Sequence, residues 1–273
     1  MELDVERVVA VALAEDVGPG DLTSEALVPV GARCRAELLL EEPGVVCGVE
    51  VAAAVFRALD PSVEVRRALD DGAAVTSPPV VLAEIEGPAR AVLTGERVAL
   101  NLVARLCGIA TLTHRYVELV EGTRATILDT RKTTPGLRAL EKYAVRCGGG
   151  SNHRAGLYDA VLVKENHLRI AGGITAAVAA LNGSADIEVE AETLEQVREA
   201  LDAGVHRILL DNMSPELVAD AVSLVGGRAQ LEASGGISLA TVRSYAETGV
   251  DFISVGALTH AARSLHVSLE VLD

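Results

Sequence analysis

From about residue 125 onward, short apolar runs alternate with amphipathic segments. No other feature constrains the fold of this chain as much. The runs are Ala125–Asp129, Ala160–Lys164, Ile187–Glu190, Arg207–Asp211, Ala229–Ala233 and Asp251–Val255. Each reads as a buried strand. Helical patterns lie between them, with start and stop signals. Thr193-Leu194-Glu195-Gln196 fits a capping box, in which the Thr and Gln side chains satisfy each other's backbone N–H groups. Ser214-Pro215-Glu216 puts Ser at an N-cap and Pro at the first helical position. Gly204 and Gly249 fall where a helix ends and a strand begins. After the third strand the units recur roughly every 21–22 residues, compact for a β/α unit. This is the pattern of a parallel α/β barrel.

The region before residue 121 reads differently. A helix is expected over Leu3–Glu15, a strand over Arg33–Glu41 and a helix over Val49–Leu59. Two further strands, Val63–Ala68 and Val80–Glu86, flank the turn signal Asp70-Asp71-Gly72. A long helical region, Gly95–Val120, leads into the barrel, with Gly108 as a point where it can break in two. Helices packed on a small antiparallel sheet are expected. The domain boundary is placed at Gly108, giving 1–108 and 109–265, with the alternating His266–Leu272 segment able to return as a strand to the first domain.

The chain has only three lysines, Lys132, Lys142 and Lys164, against 21 arginines. Lys is a compact point charge whose pKa moves on burial, and Arg is a planar fork. A chain that otherwise uses Arg keeps Lys where an ammonium is needed. Between Thr130 and His167 the charge is +4, in a chain of net charge −15. A cationic island in an acidic protein marks an anion site. The overall charge argues against nucleic-acid binding, as does a 2% aromatic content that leaves no stacking platform. No apolar run reaches membrane-spanning length, and the acidic start Met1-Glu2-Leu3-Asp4 lacks signal-peptide character. A cytoplasmic protein is expected. Cys34, Cys47, Cys107 and Cys147 show neither zinc-site nor disulfide-frame spacing.

In a parallel α/β barrel the chemistry gathers at the C-terminal strand ends. Here they deliver Thr130-Arg131-Lys132, then Lys164, then Glu190, then Asp211-Asn212, then Ser234-Gly235-Gly236, and last Val255-Gly256-Ala257. Cations, carboxylates and small-residue loops therefore share one rim. Glycine turns let backbone N–H groups approach phosphate oxygens. Glu190 and Asp211 suit either a hydrated Mg²⁺ or ribose hydroxyls, and structural pairing with Arg131 or Lys164 is the plainer alternative. Arg131, Lys132, His153, Arg154 and Lys164 suit carboxylate recognition. Arg138, Lys142 and Arg146 recur at helical spacing and read as an outer face, with Glu141 pairing among them. His167, His206 and His260 lack metal-ligand spacing.

These residues carry a resemblance. Thr130-Arg-Lys-Thr-Thr-Pro-Gly, Glu141-Lys-Tyr-Ala-Val, Asn152-His-Arg and Lys164-Glu-Asn-His resemble the quinolinate phosphoribosyltransferase family. So do Glu15-Asp-Val-Gly-Pro-Gly-Asp-Leu-Thr-Ser, Gly95-Glu-Arg-Val-Ala-Leu-Asn, Glu188-Val-Glu, Leu210-Asp-Asn-Met, Ser234-Gly-Gly-Ile and Val255-Gly-Ala-Leu-Thr-His. Glu165 stands where family members often have Asp, a change that keeps the charge. The resemblance implies an open parallel α/β barrel preceded by an α/β sandwich domain. It also implies a homodimer, able to assemble further, whose sites lie between one chain's barrel and the other's N-terminal domain. The implied substrates are quinolinate and phosphoribosyl pyrophosphate, with Mg²⁺. Arg131, His153, Arg154 and Lys164 would surround the dicarboxylate, with Arg97 arriving from the partner. Lys132, beside Thr130, would lie between the two substrates. Lys132, Lys164, Glu190 and Asp211 would be the catalytic group, the last two holding ribose and metal. Ser234, Gly235, Gly236, Val255, Gly256 and Ala257 would take the 5-phosphate. The rivals are a molybdenum-transport-associated paralogue acting on another ring, a Schiff-base aldolase using Lys132 or Lys164, and a non-catalytic phosphate-ligand binder.

Overall fold

The structure is a computed structural model that describes residues 4–181 and 187–272. Met1, Glu2 and Leu3 of the expected N-terminal pattern lie outside the described residues. The chain runs α1 (Val5–Val17), α2 (Leu22–Leu27), β1 (Arg33–Leu40), β2 (Gly44–Val45), α3 (Val49–Leu59), β3 (Glu64–Arg67), β4 (Ala74–Val75), β5 (Val80–Pro88) and α4 (Ala89–Val120). It continues through β6 (Thr126–Leu128), α5 (Arg138–Cys147), β7 (Val161–Val163), α6 (Glu165–Ala171), α7 (Ile174–Ala180), β8 (Ile187–Ala191), α8 (Leu194–Asp202) and β9 (Arg207–Asp211). It ends with α9 (Pro215–Val225), β10 (Gln230–Ser234), α10 (Val242–Ala246), β11 (Phe252–Ser254), α11 (Ala257–His260) and β12 (Val267–Leu272).

Two compact units form. One gathers residues 1–114, 133–149 and 259–273, and the other 115–132 and 150–258. The chain crosses between them more than once.

The first unit is built on an antiparallel sheet ordered β12-β1-β5-β3. Ala36, Leu38 and Leu40 alternate along β1 and are all buried, the period-2 signature of a sheet with one face covered. β12 pairs with β1 over Arg35↔Leu272 to Leu40↔Val267, so the last strand closes the edge of this sheet. α3 buries Val49, Val51, Ala52, Ala53, Val55 and Phe56. Gly95 of α4 lies where an added Cβ would meet Phe56 at 3.0 Å and Leu59 at 2.9 Å, so glycine is what lets the two helices approach. α4 runs unbroken for 32 residues, which corrects the expected break at Gly108. A Cβ at Gly108 would stand 1.9 Å from the carbonyl oxygen of Arg263. The glycine serves a close backbone approach, at a modest cost in helix propensity of ~1 kcal/mol.

The second unit is a parallel sheet ordered β6-β11-β10-β9-β8-β7. Among the described residues β6 and β7 do not pair with each other, so the barrel is open. Beyond β6, Ser151 donates to Ile127 at 2.8 Å and accepts from Asp129 at 3.2 Å, adding a one-residue parallel bridge. The expected caps form. Thr193 and Gln196 make the capping box, and Ser214 caps α9 ahead of Pro215. Register aligns the interior in layers. Glu188 sits opposite Arg207, Glu190 opposite Leu209, and Ser234 opposite both Asp211 and Ser254. The strand order also rearranges the rim. The two lysine-bearing strands, consecutive in sequence, stand at opposite edges of the open sheet, with carboxylates beside β7 and glycine loops beside β6.

Candidate active site

A cavity of about 380 Å³ opens at the C-terminal ends of the barrel strands. It is lined by Thr130, Arg131, Lys132, His153, Arg154, Lys164, Glu190, Asp211, Ser234, Gly235 and Gly236, together with Asn212, Glu232 and Ser254. Eleven of the fifteen expected substrate-site residues therefore converge. Arg97, Val255, Gly256 and Ala257 do not line it. Arg97 belongs to the first unit, on α4, where its guanidinium is exposed and lies 3.8 Å from Glu96. Val255 is a core residue: its side chain is buried and its N–H donates to the Leu128 carbonyl at 2.9 Å.

The cations are held by local structure. Asp129 directly follows β6 and is fully buried. Its Oδ1 accepts the His153 N–H at 2.8 Å and its Oδ2 accepts from the Asn152 side chain at 2.7 Å. One carboxylate thus fixes the Asn152-His153-Arg154 segment beside the first strand. The Arg154 N–H donates to His153 Nδ1 at 2.7 Å, which leaves the imidazole proton on Nε2. Arg154 itself donates to the Ala160 carbonyl at 3.1 Å. Burial, and then the neighbouring Arg131 charge, pushes the Arg154 guanidinium down from its usual range. Two guanidinium groups held this close favour an anion between them. The Thr130 hydroxyl accepts the Lys132 N–H at 3.0 Å, shaping the turn that carries Lys132. Lys164 Nζ lies 3.2 Å from Glu190, whose other oxygen accepts the Glu165 N–H at 3.1 Å. His167 Nδ1 accepts the Lys164 N–H at 3.0 Å, so His167 finishes the start of α6.

Asp211 and Glu190 stand in the same mouth. Burial first, and the Glu190 charge second, hold the Asp211 carboxyl above the ordinary aspartate value of 3.8. Asn212, next in the chain, takes a left-handed conformation with φ of 54° and donates to Asp211 at 2.7 Å. Its own N–H donates to the Ser234 carbonyl at 2.9 Å. A Cβ at Gly235 would meet Asn212 Oδ1 at 2.2 Å, so this loop position excludes any side chain. Gly236, with φ of 63°, faces open space, the geometry that exposes backbone N–H groups to a ligand.

Below the mouth lies a second ionic group that the sequence pattern did not single out. Arg207 Nε donates to Glu188 at 3.1 Å, its Nη2 pairs with Glu232, and its guanidinium stacks 4.3 Å over the Phe252 ring. His153 Nε2 lies 3.0 Å from Glu188 and 3.6 Å from Glu232. Burial raises the Glu232 carboxyl, with the Glu188 charge adding to it. Burial also works against Glu188, but its His153 and Arg207 partners outweigh that and hold it low. His153, Glu188 and Glu232 bring three possible metal-ligand atoms within 4.8 Å. The period-2 alternation of β8 and β10 was the signal available: Glu188 precedes Glu190, and Glu232 precedes Ser234, by two residues on the same face.

The outer-face reading of α5 is corrected. Lys142 is only 1% exposed and Glu141 is fully buried. Glu141 accepts from Arg105 at 2.9 Å and 3.2 Å and from Thr134 at 2.8 Å and 3.0 Å. It anchors the Thr133-Thr134 turn to α4 rather than pairing along its own helix. Arg146 alone of the three basic residues is exposed.

Fold and mouth together define a parallel α/β-barrel protein with an anion-binding, carboxylate-lined site at the strand ends. Residues 21–107 match the N-terminal domain, and residues 109–270 the C-terminal domain, of quinolinate phosphoribosyl transferase. The chain belongs to the quinolinate phosphoribosyltransferase family. It is 44% identical over 261 residues to the probable nicotinate-nucleotide pyrophosphorylase (carboxylating) of Bacillus subtilis, covering 94% of this chain and 90% of that protein. The similarly described Synechocystis protein is 46% identical over 267 residues, covering 95% and 90%. The nicotinate-nucleotide pyrophosphorylase structure from Francisella tularensis superposes with a TM-score of 0.93 at 40% identity, covering 98% of this chain and 96% of that one. The chain is an enzyme, a pentosyltransferase, and no helix in its described residues is long and apolar enough to cross a membrane. The molybdenum-transport alternative draws no support from these matches.

Proposed function

We propose that the cavity joins quinolinate to phosphoribosyl pyrophosphate and decarboxylates the product, releasing nicotinate mononucleotide, pyrophosphate and CO₂ for NAD biosynthesis in the cytoplasm. The observation that carries this reading is the convergence of Arg131, Lys132, Arg154 and Lys164, the His153 imidazole, the Glu190 and Asp211 carboxylates and a glycine loop in one mouth. Arg131, His153, Arg154 and Lys164 are assigned to the two carboxylates of quinolinate. Lys132 lies between the acceptor and the sugar, and Ser234, Gly235 and Gly236 take the 5-phosphate, with Gly256 and Ala257 of the next loop.

The donor set fits Mg²⁺. Glu190 and Asp211 offer hard oxygen ligands, and burial, with the Glu190 charge adding to it, raises the Asp211 carboxyl, a cost that a divalent cation would relieve. Beneath, Arg207 already pairs with both Glu188 and Glu232 and the His153 imidazole faces them, which leaves little for an ion to do there. When bound at Glu190 and Asp211, Mg²⁺ would supply charge neutralisation to the pyrophosphate.

The protein's own residues position and desolvate. The cations hold the dianionic ring with its nitrogen aimed at the sugar carbon, replacing a bimolecular search with a fixed geometry. Glu190 and Asp211 place negative charge where the sugar carbon turns cationic as pyrophosphate departs. Once the ring nitrogen is bonded, its positive charge stabilises the electron pair left when the adjacent carboxylate leaves as CO₂. No covalent bond to the enzyme is required.

Arg97 is assigned to the partner's site in a homodimer. Its exposed guanidinium, carried on a helix whose neighbouring residues are buried, supports that reading. The principal assay is formation of nicotinate mononucleotide and CO₂ from quinolinate, phosphoribosyl pyrophosphate and Mg²⁺. Absence of turnover removes the function, and full activity in excess chelator removes the metal. A verified heterodimer of Arg97→Ala and Arg131→Ala chains tests sharing. Recovered activity is expected, because one of its two sites would then be intact, and no recovery refutes the shared site.

A further inference from the structure

Cys47 and Cys147 are a hundred positions apart in the chain, and both belong to the first unit. Cys47 directly precedes the Gly48 cap of α3, and Cys147 is the last residue of α5. Their sulfurs and a carboxylate oxygen of Asp71 all lie within 4.8 Å of one another. Tyr143, one turn before Cys147 on α5, donates its hydroxyl to Asp71 at 2.8 Å.

These groups are not equivalent. Asp71 is engaged on both oxygens, taking the Gly48 and Val49 N–H groups at 3.0 Å and 3.4 Å as well as the Tyr143 hydroxyl. That leaves two thiols as available donors, short of a tetrahedral metal set. Cys107 is committed to the Cys47 backbone, accepting its N–H at 3.2 Å and facing its carbonyl at 3.3 Å, and it is fully buried. Cys47 is also fully buried, while Cys147 is half-buried. A solvent-borne oxidant therefore meets Cys147 first. The adjacent Cys47 thiol favours the Cys147 thiolate against the opposing effect of burial, while Cys47, fully buried beside Cys147 and Asp71, stays protonated.

We propose that Cys147 and Cys47 are a peroxide-responsive thiol pair, with Cys147 the attacked sulfur and Cys47 the resolving one. Hydrogen peroxide is the two-electron oxidant. The Cys147 thiolate attacks one peroxide oxygen, the O–O bond breaks, and the departing hydroxide takes a proton to become water. The resulting sulfenic acid is attacked by Cys47 sulfur, which loses its proton as the S–O bond breaks and a second water leaves. Two thiols and one peroxide thus give one disulfide and two waters. The bond ties the entry of α3 to the exit of α5. Reduction by an added dithiol restores both thiols.

The test uses the purified full chain treated with hydrogen peroxide, read by thiol titration and by non-reducing peptide mapping. The expected result is a fall from four free thiols to two, the mass loss of two hydrogens, and one cross-link joining the Cys47 and Cys147 peptides. Dithiothreitol should reverse all three. Cys34→Ser should leave the reaction unchanged. Cys147→Ser should abolish the cross-link, and if that variant fails to fold, the wild-type peptide map decides alone. Sulfinate on Cys147 with no cross-link overturns the proposal, as does a cross-link through Cys34 or Cys107. Stoichiometric zinc that shields the thiols until a chelator removes it also overturns it.

Discussion

Two pairs of carboxylates stand on neighbouring strands of one barrel, Glu188 and Glu190 sharing β8, and live in opposite circumstances. At the floor, Glu188 and Glu232 share Arg207 and face the His153 imidazole, so both are partnered within the protein. At the mouth, Glu190 has Lys164, which is about half exposed, and Asp211 has the neutral Asn212. A step of two residues along a strand separates a closed ionic group from an open one. The floor holds the shape of the site and fixes His153, while the mouth keeps negative charge available for something that arrives. Acidic residues at a barrel rim are not enough to name a binding site; whether the protein has already paired them decides it.

The largest effect is expected from opening the floor. Arg207→Ala leaves two buried carboxylates without their cation, a loss of about 3–5 kcal/mol for a broken buried pair. Chemical denaturation should register it as a lower midpoint with an unchanged slope. Within the same group, Glu188→Gln should cost more than Glu232→Gln. The Glu188 charge is favoured by its partners, whereas burial already pushes Glu232 toward its neutral form. Equal costs would mean that the two acids are interchangeable and that the floor is not organised around Glu188.

That contrast also marks what could be read from the sequence. β9 was bounded correctly at Arg207–Asp211, because a buried parallel strand is a dense apolar run between caps. Lys164, Glu190, Asp211 and Ser234 are legible as strand ends; His153 and Arg154 lie in a connecting segment and are not. The floor is not legible either, because Arg207 and Glu188 are charged residues inside runs read for their apolar content. Nothing local says that Arg207 faces the barrel axis until register aligns it with Glu188. Lys142 failed for a related reason. Helical spacing shows which side chains share a face but not how far along it solvent reaches, and here Lys142 is buried while Arg146 is exposed. Gly108 is ambiguous in the sequence because a helix-breaking residue and one that permits close approach look identical in one dimension. The single bridge at Ser151 is too short to leave any periodic signal.

The mouth should behave in the opposite way to the floor. Glu190→Gln and Asp211→Asn keep size and remove charge, so the fold should survive while turnover falls by about 10²–10³-fold, the scale of losing one preorganised electrostatic partner. Melting curves that match wild type alongside the lost activity would sharpen the comparison. A lowered melting temperature with activity per folded molecule intact would place these acids with the floor. Acid should act on the mouth early. With its folded value raised by burial and by Glu190, Asp211 takes up its proton at a higher pH than an ordinary aspartate. The acid limb of kcat/KM is therefore expected above 3.8. The same raised value means that Asp211 ionisation works against folding, so its protonation on acidification favours the native state even as activity falls.

A smaller effect separates substrates. Nicotinate lacks one of the two carboxylates of quinolinate and would leave a cation of the Arg131–Arg154 group without its anion. The expected discrimination is about 1–3 kcal/mol in kcat/KM. Arg154→Ala should reduce it by weakening quinolinate far more than the phosphoribosyl donor. Equal kcat/KM values for the two acids would remove the dicarboxylate assignment and make the mouth's cations a general anion funnel.

The smallest effect lies in the first unit, where an acid is paired near the surface rather than in a barrel. Glu42 takes two hydrogen bonds from Arg263, at 2.5 Å and 2.8 Å, and the His266 N–H at 2.7 Å, tying down the segment that leads into β12. Those bonds, with Arg263 first, hold its carboxyl at about 2 against an ordinary 4.5. A depressed carboxyl stabilises the fold above its unfolded value, and that contribution is lost as pH falls from 4.5 through about 2. Arg263 is mostly exposed, so solvent screening keeps the contribution to about 0.5–1 kcal/mol. Glu42→Gln should therefore lower stability slightly at neutral pH and flatten its dependence on pH in the acid range, with turnover unchanged. Denaturant melts of both proteins at neutral pH and near pH 3 measure the difference of differences directly. A wild-type–variant gap that does not shrink in acid would show that Glu42 acts through packing rather than charge. The contrast between the two barrel pairs would then find no parallel in this third, surface acid.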